Sequence, residues 1–136
     1  MNSLYVSYRG IDRSRVREIE NDLLDAGLDF DLLDDIDEDD LRNRGFKAIW
    51  KMVKSKLSEC DGIILLIGNE THSPRKILLR EIEYAKSNAW NIFGIKMTQR
   101  TGAAPEEVYS YKYYTEFENY DLEEIVEEIN TIYDQA

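Results

Sequence analysis

Glu81 is an acidic residue beside the apolar face of a predicted helix, where an acid is unusual. The apolar run at residues 63–67 predicts a fully buried strand, and a polar loop at 68–74 leads from it into an amphipathic helix. Within that helix Glu81 comes three residues after Leu78 and four before Ala85, so it flanks the apolar face. Desolvation at such a position raises the pKa of a carboxyl group, which suits it to proton transfer or to holding a cation. The alternative is a salt bridge to a Lys or Arg of a neighbouring element.

The other residues that could act as nucleophiles or metal ligands form no convincing arrangement. His72 and Ser73 are neighbours in one loop, whereas a catalytic triad needs Ser and His to meet as spatial partners of an orienting acid. The GxSxG elbow of the hydrolases is absent. Cys60 follows the apolar stripe of a predicted helix, and we interpret it as a small buried residue. One Cys and one His do not predict a zinc site.

Phosphate-binding and calcium-binding motifs are weak or missing. Neither GxGxxG nor GxxxxGK[ST] occurs, although Arg9 stands just before a predicted helix whose N-terminal amides could hold an anion. The acidic segment 34–45 begins like a calcium loop, but Asp40 replaces its glycine and Phe46 its closing Glu. We interpret this segment as a solvated charged loop.

Five strands that alternate with helices must position these residues. We predict strands at 4–8, 28–33, 63–67, 91–97 and 111–115. The first predicted helix follows Asp12 and ends at Gly27, and its buried residues are Val16, Ile19, Leu23 and Ala26. Two further helices are predicted at about 46–59 and 74–88. The last helix is predicted to begin near residue 119 or 121. Residues 98–107 are predicted to be a loop. The alternation indicates an α/β, three-layer flavodoxin-like fold, with a five-stranded parallel sheet and helices on both faces.

In such sheets, ligands bind beyond the carboxyl ends of the strands. We therefore expect a binding site at the loops 8–12, 34–45, 68–74 and 98–107. A response-regulator receiver has this architecture too, but it needs an acidic pair after the first strand and an Asp after the third. The sequence has Ser7-Tyr8-Arg9 and Gly68-Asn69-Glu70 at these places, which excludes that class.

Composition bounds the remaining classes of function. The 136 residues fit one domain, 1–136, and 43% of them are hydrophobic. A net charge of −11 argues against nucleic acid as a partner, because phosphate binding depends on clustered Lys and Arg. The single Cys60, the lack of a membrane-length apolar run and the lack of a signal-peptide pattern predict a cytoplasmic protein.

Three stretches of the sequence resemble the TIR-like domains. They are LYVSYR at 4–9, GIILLIGNETHSPRKILLREIEYA at 62–85 and NIFGIKM at 91–97. Their most specific parts are a strand ending in LIG followed by a Thr, an EIxxA helix at a fixed distance after it, and a strand ending in GIK. The resemblance covers nearly the whole chain and is greatest to the TIR component of Thoeris anti-phage systems.

The resemblance implies an enzyme that cleaves the nicotinamide–ribose bond of NAD+. In the Thoeris branch the product is a cyclic ADP-ribose isomer that activates a separate effector, so NAD+ is the substrate and no cofactor is implied. Glu81 stands at the family's catalytic position, and the segment 34–45 corresponds to the loop that closes over the ligand. Ile77 stands where many TIR enzymes carry a Trp. The residues expected to bind substrate are Ser7, Tyr8, Arg9, Asp34, Asn69 and Ile77.

The resemblance also implies partners. These are a phage protein as trigger, the effector reached through the nucleotide product, and further copies of the chain in a homo-oligomer when active. Two other functions remain open at this point. One is a non-catalytic TIR-like adaptor that acts by self-association, and the other is a small flavodoxin-like domain that binds a nucleotide or flavin without turnover.

Overall fold

A computed structural model describes residues 2–9, 11–34, 45–68, 71, 76–97 and 102–134. Strands and helices alternate along the chain. The strands are β1 (Ser3–Tyr8), β2 (Asp31–Asp34), β3 (Gly62–Ile67), β4 (Asn91–Lys96) and β5 (Tyr114–Phe117). The helices are α1 (Arg13–Asp25), α2 (Phe46–Leu57), α3 (Lys76–Ser87), α4 (Glu106–Tyr109) and α5 (Leu122–Asp134).

The described strands form one five-stranded sheet in the order β2-β1-β3-β4-β5, and every pair in it is parallel. This is the flavodoxin-like order, and it confirms the predicted fold class. The chain winds outward in one direction from β1 to β2 and in the other from β3 to β5. The ends of β1 and β3 therefore flank the point where the winding reverses, which is where such sheets bind ligands.

Each face of the sheet carries its own apolar cluster. Side chains alternate along β1, so Leu4 and Val6 join α1 and α5 on one face, while Tyr5 joins α2, α3 and α4 on the other. All six residues of β3 are buried, because a central parallel strand is covered on both sides. Among the described residues, no helix is long and apolar enough to cross a membrane.

Several predicted boundaries were wrong, and the pairing of strands explains the first. We predicted a second strand at 28–33, but β2 begins at Asp31, which pairs with the first residue of β1, Ser3. Residues 28–30 therefore have no backbone partner on β1, and Leu28 and Phe30 are buried outside any strand.

The predictions near the other edge of the sheet and at the end of α1 were also imprecise. The fifth strand begins only at Tyr114, after a turn at 112–113. Before that turn, the Tyr111 hydroxyl donates to the Trp90 carbonyl (2.6 Å). The predicted loop at 98–107 overlaps the short helix α4. Ala26, predicted to be buried, is exposed at the C-cap of α1, whereas Gly27 ends that helix with φ +103° as expected.

Three segments of the chain converge at Gly68, directly after β3. A Cβ on Gly68 would lie 3.2 Å from Cγ1 of Ile11, in the segment after β1. Gly102, in the segment after β4, has φ +121°, and a Cβ there would lie 2.9 Å from the Gly68 carbonyl oxygen. The carboxyl edge of the sheet is thus closely packed around a position without a side chain.

The Gly102→Ala substitution tests this packing. It combines backbone strain with a clash against a carbonyl group, so we expect the free energy of unfolding to fall by about 2 kcal/mol or more. The matched control is Gly45→Ala, because Gly45 has φ −71° and open space at its Cβ. We expect the control to change stability by no more than about 0.5 kcal/mol in urea titrations followed by circular dichroism. Equal losses in the two variants would contradict the packing described.

Candidate functional site

The centre of the candidate site is a hydrogen bond between Ser7 and Glu81. The Ser7 hydroxyl donates to Oε1 of Glu81 at 3.0 Å, and both side chains are 0% exposed. The two residues are 74 positions apart in sequence. Glu81 does lie inward, as its spacing predicted, but more deeply than the partly desolvated edge that we expected.

Two periodicities bring this pair together. Along β1 Ser7 follows Tyr5 at the two-residue period of a strand, so both point to the face covered by α3. Along α3 Glu81 lies one turn after Ile77 and one turn before Ala85, in the middle of the buried stripe. The carboxylate therefore faces the sheet near the carboxyl end of β1.

The environment of Glu81 determines what it can do chemically. A carboxylate removed from water must be compensated by hydrogen bonds or opposite charge, and the Ser7 hydroxyl supplies one such bond. That bond also limits the orientations of the carboxylate. A fixed carboxylate in a dry environment can accept hydrogen bonds from ligand hydroxyl groups and can stabilise positive charge that develops beside it.

Tyr8 and Arg9 follow Ser7 at the end of β1 but are placed differently. Tyr8 is half-buried and packs against the apolar cluster of α1 and α5, on the face of the sheet opposite Glu81. Arg9 is also half-buried, and its Nε atom makes no hydrogen bond within the part of the chain that the structure describes. Arg9 thus brings a buried donor to the point where the winding reverses. The roles predicted for both residues stay predictions.

The remaining predicted substrate-binding residues are only partly visible. Ile77 is 9% exposed and belongs to the apolar cluster beside α3. Asp34 is the last residue of β2 and pairs with Val6, but its side chain lies outside the described part. Asn69 lies outside the described residues, as do the acidic residues 35–44 and the neighbours at 72 and 73.

Thr71 is a structural residue of this site that the sequence analysis noted only as part of a family pattern. Its side chain is 0% exposed. The Gly68 N–H donates to Thr71 Oγ1 at 2.9 Å, and the Thr71 hydroxyl in turn is 3.5 Å from the Leu66 carbonyl oxygen. A Thr three residues after the Gly that ends a strand is a recognisable signal for such a turn. The turn holds the chain where it leaves β3.

A second polar cluster, which the sequence analysis missed, lies on the same face at the β4–β5 edge. Glu116 Oε1 accepts hydrogen bonds from Tyr114 (2.6 Å) and Tyr109 (3.1 Å), and Lys96 lies 3.8 Å from Glu116 Oε2 and 2.8 Å from Glu118 Oε2. Burial, reinforced by Glu116, raises the pKa of both tyrosines, so their hydroxyls remain donors. Residues 7, 65, 94 and 116 are register partners, so three strand spacings, roughly 14 Å, separate this cluster from Ser7.

Cys60 is not a nucleophile in this structure. The thiol is buried, and burial together with Asp61 and Glu59 raises its pKa to about 12. Because the thiolate is the reactive form, such a thiol is inert near neutral pH. The prediction of a small buried residue is confirmed.

Comparison with known proteins adds one finding. A family model described as the Thoeris protein ThsB, TIR-like domain, matches residues 5–102. The matched range includes Ser7, Glu81 and the strands β2, β3 and β4. No curated protein matches the sequence.

The contribution of the Ser7–Glu81 bond can be measured in a double-mutant cycle. Ser7→Ala leaves a buried carboxylate without this donor, so we expect it to lower the free energy of unfolding by about 1–3 kcal/mol. Ser55→Ala, at an exposed position of α2, is the control and should change stability by less than about 0.5 kcal/mol. In a Ser7→Ala/Glu81→Leu variant both polar partners are gone, and we expect less destabilisation than the two single variants predict together. Strict additivity would show that the bond contributes nothing.

Proposed function

Because the chain belongs to the TIR-like domain family of the Thoeris protein ThsB, which serves TIR-type anti-phage defence, we propose that it is an NAD+-cleaving enzyme. In this proposal it breaks the nicotinamide–ribose bond and forms a cyclic ADP-ribose-type signal that activates a separate effector. NAD+ is the substrate, and the reaction needs no further cofactor.

The observation that carries the proposal is the buried Ser7–Glu81 pair near the end of β1, where flavodoxin-like sheets bind ligands. When the bond between the nicotinamide nitrogen and the ribose carbon breaks, the electron pair leaves with nicotinamide and the ribose becomes oxocarbenium-like. Glu81 accepts hydrogen bonds from the ribose hydroxyls and stabilises this positive charge. Ser7 positions the carboxylate.

Burial of Glu81 bears on both the outcome and the control of the reaction. Cyclisation requires a nucleophile of the ADP-ribosyl group, rather than water, to bond to the ribose carbon, and a dry site favours this. At 0% exposure, however, the carboxylate cannot touch a substrate until the groups that cover it move. The proposal therefore includes an opening of the site, and a phage protein trigger or association with further copies of the chain would favour the open state.

The other predicted residues receive roles in the same proposal. Arg9, with its buried Nε, contacts the phosphates. Tyr8 packs on the face opposite Glu81, so in this proposal it reaches the nicotinamide side over the end of β1 when the site opens. Ile77, one turn before Glu81, supplies an apolar wall in place of the Trp of many TIR enzymes. Asp34 and Asn69 are further proposed substrate contacts, and their side chains lie outside the described part of the chain. We place the reaction in the cytoplasm.

One observation favours a second candidate, a non-catalytic adaptor that acts by self-association. A fully buried Ser7–Glu81 bond is also what a purely structural clamp between β1 and α3 would need. Turnover distinguishes the two candidates.

The test is nicotinamide release from NAD+, measured by chromatography with and without lysate from phage-infected cells. Glu81→Gln removes the negative charge, while its amide oxygen can still accept the Ser7 hydrogen bond. We expect release to fall at least about 100-fold. Glu83→Gln is the matched control, because Glu83 is an exposed glutamate of the same helix, and it should retain wild-type release. Circular dichroism checks that both variants are folded.

Two results would overturn the proposal. Wild-type release by Glu81→Gln would remove Glu81 from the chemistry. Absence of nicotinamide release by the wild-type chain under every trigger, together with concentration-dependent assembly, would favour the adaptor. In that case a yellow colour of the purified protein would indicate a bound flavin instead.

A further inference from the structure

The segment 102–109 connects β4 with β5 and packs over the face of the sheet that Glu81 also faces. We call this segment the strap. Its side chains Ala104 and Val108 are 2% and 0% exposed and belong to the apolar cluster that contains Ile77. Ile77 precedes Glu81 by one turn of α3. The strap and the helix that carries Glu81 therefore share one packed layer.

The first residue of the strap lies against the carboxyl end of β3. A Cβ on Gly102 would be 2.9 Å from the Gly68 carbonyl oxygen and 3.5 Å from Cγ2 of Ile67. The end of β3 flanks the point where the winding of the sheet reverses, which is the edge from which a ligand approaches such a sheet. The strap is therefore part of the packed rim at this edge.

Three hydrogen bonds converge on the last residue of the strap and on β5, and we call them the latch. The Tyr109 hydroxyl accepts from the Ala104 N–H (3.0 Å) and donates to Oε1 of Glu116 (3.1 Å). The Tyr114 hydroxyl donates to the same oxygen (2.6 Å). A Cβ on Gly94 would overlap the Tyr114 hydroxyl, so this glycine makes room for it. One carboxylate oxygen thus holds the strap through a single tyrosine.

Charge and burial both support the latch. The Glu116 side chain is 15% exposed, and Lys96 places its Nζ 3.8 Å from Oε2 of Glu116 and 2.8 Å from Oε2 of Glu118. A neighbouring cation offsets part of the cost of removing a carboxylate from water. Burial raises the pKa of Tyr109 and of Tyr114, so both hydroxyls stay protonated and can donate to Oε1.

The strap depends on such anchoring because its own structure is weak. Its helix α4 comprises only the four residues Glu106–Tyr109, and an isolated helix of that length is not stable in water. The Tyr109 side chain is 50% exposed, so burial of its ring stabilises the strap less than burial in a core would. The Lys86 ammonium donates to the Glu107 carbonyl (3.0 Å), but at an exposed position where water competes for both groups.

We propose that the latch controls access to Glu81: it holds the strap against the end of β3, and its loss opens the route of the substrate. Tyr109 is then a positioning residue that acts without touching the substrate. The net free energy of one hydrogen bond corresponds to an about 3- to 10-fold change in an equilibrium. Removal of the Tyr109 hydroxyl should therefore raise the open population by about that factor. The kinetic consequence rests on the proposed cleavage of NAD+, whereas opening of the strap is measured without substrate.

Thiol labelling measures the opening of the strap. The side chain at position 104 is buried, so a thiol introduced by Ala104→Cys reacts with iodoacetamide only when the strap lifts. Cys60 is the internal reference, because it is buried and burial raises the pKa of its thiol to about 12, so it reacts only when the chain unfolds. Peptide mass spectrometry measures the label at each position separately.

Tyr109→Phe, made in this background, keeps the ring and removes the hydroxyl. We expect labelling at position 104 to become about 3- to 10-fold faster, with labelling of Cys60 unchanged. Tyr113→Phe is the matched control, because it removes a tyrosine hydroxyl just beyond the strap, where the ring contacts Tyr111 and Lys112, and it should change neither rate. Amide hydrogen exchange of residues 103–109 repeats the measurement without the introduced thiol.

Nicotinamide release measures the kinetic consequence. If only the open fraction binds substrate, the apparent dissociation constant equals the intrinsic constant divided by that fraction. Tyr109→Phe should therefore lower the KM for NAD+ about 3- to 10-fold with little change in kcat. The difference from the wild type should shrink in lysate from phage-infected cells, where the trigger itself favours the open state.

Two results would overturn this proposal. One is labelling at position 104 that Tyr109→Phe leaves unchanged, or accelerates only as much as labelling of Cys60, since Tyr109 would then be a purely structural residue. The other is faster labelling at position 104 with an unchanged KM, which would place the strap away from the route of the substrate. Absence of nicotinamide release by every chain would overturn the proposed function alone, because faster labelling at position 104 would still support opening of the strap by loss of the latch.

Discussion

A carboxylate held inside the protein governs the arrangement of this structure. Removing a carboxylate from water costs several kcal/mol unless polar groups replace the solvent. Glu81 is fully buried, and Ser7 donates a hydrogen bond to its Oε1 atom. Because the donor lies on the first strand and the acceptor on the helix after the third, this bond sets how α3 lies across the boundary between β1 and β3.

The carboxyl edge of the sheet is closely packed at this same boundary between β1 and β3. The strand order places the ends of β1 and β3 side by side, and Gly68 allows the segments after β1 and β4 to approach the end of β3. Thr71 then closes the turn with hydrogen bonds to the backbone of β3 and Gly68. A group that reaches Glu81 from this edge must pass this packed rim, where the buried Nε of Arg9 also lies.

Helix α3 has two unlike sides in this member of the TIR-like family. Its inward stripe contains Ile77 and Glu81, and the positions immediately before each of them, Lys76 and Arg80, point to solvent beside Phe46. The 3.6-residue period of a helix makes this division unavoidable, since successive residues are turned by about 100°. One short helix therefore presents a buried acid to the sheet and a pair of cations to the surface.

Local pattern in the sequence was sufficient for the order of the five strands and the four longer helices, the parallel sheet, the inward position of Glu81 and the burial of Cys60. Hydrophobic period and helix spacing depend only on near neighbours. The short helix α4 was not predicted. Local pattern was insufficient wherever a residue's environment depends on a distant partner. The start of β2 depends on where β1 begins, and the depth of Glu81 depends on Ser7 across the sheet. The Glu116 cluster beside Gly94 likewise follows from strand register. The sequence by itself thus determined which residues are apolar, acidic or basic along each element. Only the tertiary structure decided which of them meet, because register and strand order join positions that no local period relates.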